Sequence, residues 1–113
     1  MESAVIESNG FRYLDEGKGE PLVILHGLFG ALSNFNSVRS HFSKRFRVLT
    51  PMLPIYELPL RKTSAKEIAN HIKGFVDHLA LEKVHLLGNS LGGHVGLIFT
   101  KNHIERVASL TLT

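Results

Sequence analysis

Hydrophobic and polar positions along this chain follow two periods that alternate from segment to segment. Val5-Ile6 and Phe11 to Asp15 alternate apolar with polar residues around Ser8-Asn9-Gly10, which predicts an antiparallel hairpin. Leu22 to Leu25 is an unbroken apolar run and predicts the first core strand. Ser33 is placed to cap a short helix that turns Phe35, Val38 and Phe42 inward and ends near Lys44-Arg45. Arg47 to Thr50 reads as another short strand, stopped by Pro51. Ser64-Ala65-Lys66-Glu67 is a capping box, and the helix it opens carries Ile68, Ile72, Phe75, Val76 and Leu79 on one face. Val84-His85-Leu86-Leu87 predicts a strand buried on both faces. Leu91 to Lys101 then has Leu91, Val95, Ile98 and Phe99 at helical spacing, and Val107 to Leu112 completes the strands. Strands interleaved with helices predict an α/β fold: three layers, α/β/α, around a mostly parallel sheet of about six strands with an N-terminal antiparallel hairpin. No repeat, low-complexity tract or linker divides the chain, so residues 1–113 read as a single domain.

Composition agrees with that reading and narrows it. A hydrophobic content of 43% is enough for a core, and the absence of cysteine removes disulfides and thiolate metal sites, which fits a reducing compartment. No apolar run has signal-peptide or membrane-span length, so the expectation is a cytoplasmic protein without membrane contact. The formal charge is only +3. One basic cluster stands out, Arg39, Lys44, Arg45 and Arg47, in a region with no acid between Glu20 and Glu57. It reads either as a surface for an anionic partner or, more simply, as a solvated helix end whose cations complement the helix dipole. No nucleic-acid motif accompanies it, so no nucleic-acid partner is expected.

The chemistry concentrates in two motifs. In Leu86-Leu87-Gly88-Asn89-Ser90-Leu91-Gly92-Gly93, a Gly-x-Ser-x-Gly turn lies between an apolar strand and a helix. A serine lifted on so tight a turn has strained backbone angles, and side chains two positions before and after it would collide across the bend; Gly88 and Gly92 remove them. The alternative is an ordinary strand-to-helix turn whose serine only caps the helix. In Pro21-Leu22-Val23-Ile24-Leu25-His26-Gly27-Leu28-Phe29-Gly30, an apolar strand opens into a loop at His26-Gly27. Acyl transfer develops negative charge on the carbonyl oxygen, and preorganised backbone N–H groups stabilise it. Leu91 should supply one such N–H and the second loop the other, at Leu28 or else at Phe29. His26 reads as a residue whose ring pins loop backbone in support of the site, rather than as a catalytic group.

With both motifs in this order, the chain resembles the α/β-hydrolase superfamily over essentially its whole length, and is similar to its small esterases and other cap-bearing serine hydrolases. The resemblance implies Ser90 as nucleophile, an oxyanion hole from Leu28 and Leu91, an acyl-enzyme mechanism on esters or related acyl substrates, and no metal or organic cofactor. Serine at the nucleophile position argues against the haloalkane dehalogenase and epoxide hydrolase branches. The apolar Pro51 to Leu60 segment departs from the family, where an Asp and a Gly-rich turn are common. Met52, Leu53 and Tyr56, with Phe29, are candidates for an acyl pocket, and simple packing of this loop on the core is the alternative.

A serine hydroxyl needs a histidine to take its proton and a carboxylate to hold that histidine. Only His94 and His103 follow Ser90, both on or at the end of the next helix, and Glu105 is the sole acid. The expectation is therefore the N-terminal portion of an α/β-hydrolase, through its sixth strand, with lid, later strands, triad acid and histidine absent and the chain inactive alone. The other expectation is a non-catalytic fragment that binds a partner through its sheet. Val107 to Thr113 has no proline or charge, so its open edge predicts self-association, most simply a homodimer through the last strand.

Overall fold

The computed structural model describes residues 5–26, 36–53 and 64–113. Its centre is a six-stranded sheet. The chain runs β1 (Ile6–Ser8), β2 (Phe11–Glu16), β3 (Glu20–Leu25), α1 (Asn36–Phe42), β4 (Phe46–Pro51), α2 (Ala65–His78), β5 (Val84–Gly88), α3 (Leu91–Asn102), a 3-10 turn (Ile104–Arg106) and β6 (Val107–Leu112). The strand order is β1-β2-β4-β3-β5-β6. β1, β2 and β4 pair antiparallel, whereas β3 pairs parallel with β4 and β5, and β5 parallel with β6. The predicted fold class, a mostly parallel sheet led by an antiparallel hairpin, is the one observed. Asn9 (φ 52°) and Gly10 (φ 84°) make the hairpin turn in the left-handed conformation that a tight two-residue connection demands.

The two faces of the sheet are covered unequally. On one face α2 and α3 enclose the main core, in which Val23, Leu25, Leu49, Ile68, Ile72, Phe75, Val76, Val84, Val95 and Phe99 are fully buried. Side chains of this size each stabilise a fold by about 1.5–3 kcal/mol on full burial, so this cluster dominates folding. α2 forms where the capping box placed it, with the Ser64 hydroxyl accepting the Glu67 N–H at 3.3 Å. Its buried face is Ile68, Ala69, Ile72, Phe75 and Val76. On the other face, Leu22, Ile24 and Val48 meet the half-buried Val38, Phe42, Phe46 and Leu87, and α1 buries no residue completely.

That asymmetry corrects one expectation. β5 is buried on alternate residues only, with Val84, Leu86 and Gly88 inside and His85 and Leu87 half-exposed. Among the described residues, α1 packs on the cluster formed by β3 and β4, and Leu87 is the one residue of β5 that joins it. Boundaries also move. β4 extends over Phe46–Pro51, because Pro51 ends the strand opposite Tyr13 without breaking it, and pairing continues through Met52 N–H to the Arg12 carbonyl at 2.8 Å.

Candidate active site

The turn between β5 and α3 carries one of three non-glycine residues with positive φ among the described residues. Ser90 has φ 56° and ψ −119°, a combination that costs a non-glycine residue on the order of 1–3 kcal/mol and persists only where its surroundings enforce it. Three hydrogen bonds do so. Asn89 N–H reaches across to the Leu25 carbonyl at 3.1 Å, and the Ser90 carbonyl accepts from Gly93 N–H at 2.9 Å and His94 N–H at 3.2 Å. The chain is thus clamped to the end of β3 immediately before Ser90 and committed to helix immediately after it.

A serine at a helix start ordinarily turns its hydroxyl onto the N–H groups of the first turn. Ser90 does not: its side chain makes no capping hydrogen bond, and the residue is exposed. The helix-capping alternative therefore fails. Leu91 N–H, next in sequence, donates to no carbonyl among the described residues. A solvent-facing hydroxyl and an unspent amide stand side by side at the start of a twelve-residue helix, whose dipole favours negative charge at this end.

The glycines explain how α3 comes so close. A Cβ on Gly92 would lie 2.0 Å from the Leu25 carbonyl oxygen and 2.8 Å from that of His26, and one on Gly88 would lie 2.6 Å from the Gly92 carbonyl oxygen. The first turn of α3 thus rests directly on the end of β3, at Leu25 and His26. Two motifs far apart in sequence are brought into backbone contact.

His26 holds the other side of that junction. Its Nε2 accepts the Leu53 N–H at 3.1 Å, so this nitrogen carries no proton and the ring ties the end of β3 to the segment after β4. Leu53 is buried in the main core, so for this residue packing of the loop, rather than pocket lining, is what occurs; Met52 is half-buried. Gly27, Leu28, Phe29 and Tyr56, and with them the expected second oxyanion donor, lie outside the described residues.

All seven histidines of the chain are described, and none bonds to Ser90 Oγ. His41 lies on α1 against Phe42, His71 and His78 flank Phe11 from α2, and His103 packs on Phe99. His85 Nδ1 meets Ser109 Oγ at 2.7 Å on the sheet face away from α3. His94 is exposed on α3, and its N–H bonds back to the Ser90 carbonyl. Among the described residues no cluster of three or more potential metal ligands exists.

Two supporting residues escaped the sequence reading. Asn89 acts through its backbone, which no side-chain pattern reveals. Arg106 donates to the Glu82 carbonyl (2.9 Å), the Leu81 carbonyl (2.6 Å) and the Asp77 carboxylate (2.8 Å), fastening the lead into β6 to the turn before β5. Lys73 and Arg106 together hold the Asp77 carboxyl below its ordinary range, the Lys73 hydrogen bond being the larger cause. An arginine standing alone before an apolar strand was the available signal.

A family model for the alpha/beta hydrolase fold matches residues 20–113. The chain belongs to that family. Among its relatives is a 2-hydroxy-6-oxononadienedioate/2-hydroxy-6-oxononatrienedioate hydrolase of Pseudomonas putida, 37% identical over 88% of this chain and 38% of the relative. A soluble epoxide hydrolase of Corynebacterium is 30% identical over 90% of this chain and 37% of its own length. Among solved structures, the α/β-hydrolase MGS-MChE2, from a metagenome of sediments of the Mar Chica lagoon, superposes with a TM-score of 0.92 at 47% identity, over 96% of this chain and 50% of that one. The chain therefore spans between about two fifths and half of these α/β-hydrolases. No helix among the described residues is long and apolar enough to cross a membrane.

Proposed function

We propose that this chain is the nucleophile-bearing part of a serine hydrolase acting on esters or related acyl substrates, with Ser90 attacking the carbonyl and Leu91 N–H donating to the oxyanion. The observation that supports this most is the Ser90 backbone at φ 56° and ψ −119° combined with a hydroxyl that caps nothing. Strain enforced by the neighbouring backbone, with the hydroxyl left free of the helix, is what a positioned nucleophile needs and what a helix cap lacks. Leu28 is the proposed second oxyanion donor. The substrate bond is an ester in this reading, and thioester, amide or carbon–carbon hydrolysis would use the same nucleophile and oxyanion site. A cysteine-free chain suits the cytoplasm, which is the compartment we propose.

The triad acid and base come, in this reading, from the part of the fold that the matched relatives have and these residues do not. The test joins this chain to the C-terminal remainder of the Pseudomonas putida relative. Hydrolysis of 4-nitrophenyl acetate by that fusion should fall by about a thousandfold or more on Ser90→Ala. A folded, active fusion that is indifferent to Ser90→Ala contradicts the reading.

A second, compatible reading concerns the 113-residue chain by itself. Among the described residues β6 pairs only with β5, and Ala108, Ser109, Thr111 and Leu112 are exposed. We propose that this edge pairs with its copy in a two-fold dimer. Sedimentation at micromolar concentration should show the dimer, and a monomer would contradict it.

A further inference from the structure

At the end of the sheet opposite Ser90, half of the basic cluster is paired with acids and the other half stands exposed just past the end of α1. Arg39 pairs with Glu16 at 2.8 Å, and Arg47 binds Asp15 through two hydrogen bonds of 3.1 and 2.8 Å. The acids that the local sequence lacks are thus supplied by β2. Lys44 and Arg45 take no carboxylate partner among the described residues and are exposed. Together with His41, Phe42 and Phe46 they line a cavity of about 340 Å³ between the end of α1 and the start of β4. The two phenyl rings meet edge-on at 6.1 Å and form an apolar wall, and His41 sits edge-on to Phe42 at 5.0 Å.

We propose that this cavity is a binding site for a small organic anion with an aromatic or short acyl body, a carboxylate of benzoate size. The apolar body packs on Phe42 and Phe46, and the carboxylate faces the Lys44 ammonium and Arg45 guanidinium, the latter able to donate two parallel hydrogen bonds. An inorganic anion would leave the phenyl wall unused, and a neutral aromatic would leave both cations unused. The volume lies at the small end of the range for ligand pockets. Because β3, β4 and β5 run parallel, Phe46 starts β4 while Gly88 ends β5, so the site lies a strand length from the elbow and does not depend on the reading of Ser90.

The test is a titration of the 113-residue chain with benzoate, followed by the backbone amide resonances. Saturation is expected at a Kd on the order of millimolar, which suits a ligand of this size, with the shifts centred on residues 41–46. Benzyl alcohol, the neutral counterpart, should bind about tenfold more weakly, and benzoate binding should weaken to a similar degree in Lys44→Ala/Arg45→Ala. Lys44→Arg/Arg45→Lys should retain it. Shifts centred on Ser90, equal affinity for benzyl alcohol and benzoate, or no shift at about 20 mM would overturn the proposal. Should the alanine pair fail to fold, the comparison of the two probes on the unaltered chain still decides the matter.

Discussion

Two turns flank β5, and each holds a non-glycine residue at almost the same positive φ: Ala80 at 55° before the strand and Ser90 at 56° after it. At Ala80 the strain belongs to a helix ending. Ala80 N–H bonds the Asp77 carbonyl at 3.0 Å and Leu81 N–H the Val76 carbonyl at 3.1 Å, which is how a helix closes through a left-handed residue. Glycine would do this better, and no side-chain chemistry is gained by alanine. At Ser90 the strain accompanies a hydroxyl that caps nothing, and glycine would relax it while removing the group proposed as nucleophile. The same positive φ thus has different neighbours in the two places: a completed capping pattern around Ala80, an unspent hydroxyl and an unspent amide around Ser90.

Substitutions can break or sharpen this contrast. The largest effect is expected from Gly92→Ala, whose Cβ would sit 2.0 Å from the Leu25 carbonyl oxygen. Backbone cannot yield there without separating α3 from β3, so a loss of about 3 kcal/mol or more in urea unfolding is expected, at the upper end of overpacking costs. Arg106→Ala removes three hydrogen bonds on the Ala80 side and should cost about 1–2 kcal/mol. Ser90→Gly should stabilise the fold by about 1 kcal/mol, and Ala80→Gly by about 0.5–1 kcal/mol, through relief of strain. If Ser90→Gly destabilised the fold, the strain assigned to that turn would be wrong.

The smallest effect is on pH dependence. The Asp77 carboxyl is lowered by Lys73 and then Arg106, so its contribution is present above the unfolded carboxylate pKa and is lost as pH falls through the lower folded value. Stability should therefore decline on acidification from about pH 4 downward, and less steeply in Arg106→Ala, measured as Tm against pH.

Much of this was legible in the sequence for reasons that are local. The capping box at Ser64, the Gly88 and Gly92 spacing and the apolar runs of β3 and β5 each state their structure within a few residues. What was not legible depends on distant partners. Whether β5 is buried on one face or two depends on where α1 lies, and half of the basic cluster is answered by Asp15 and Glu16 on β2, far back in the chain. The collision that makes Gly92 necessary is chiefly with β3, not across the bend itself, and only the packed structure shows it.

The central claim is that these residues position the proposed nucleophile Ser90 without activating it, since among the described residues the histidine side-chain hydrogen bonds go to other partners. Hydrolysis of 4-nitrophenyl acetate by the 113-residue chain, compared with its Ser90→Ala variant at neutral pH, tests this most directly. The account predicts rates that agree within about a factor of two, since a serine without a general base is a weak nucleophile. An excess of tenfold or more that disappears with Ser90→Ala would contradict it and would mean that His26, His94 or a second copy of the chain supplies the base.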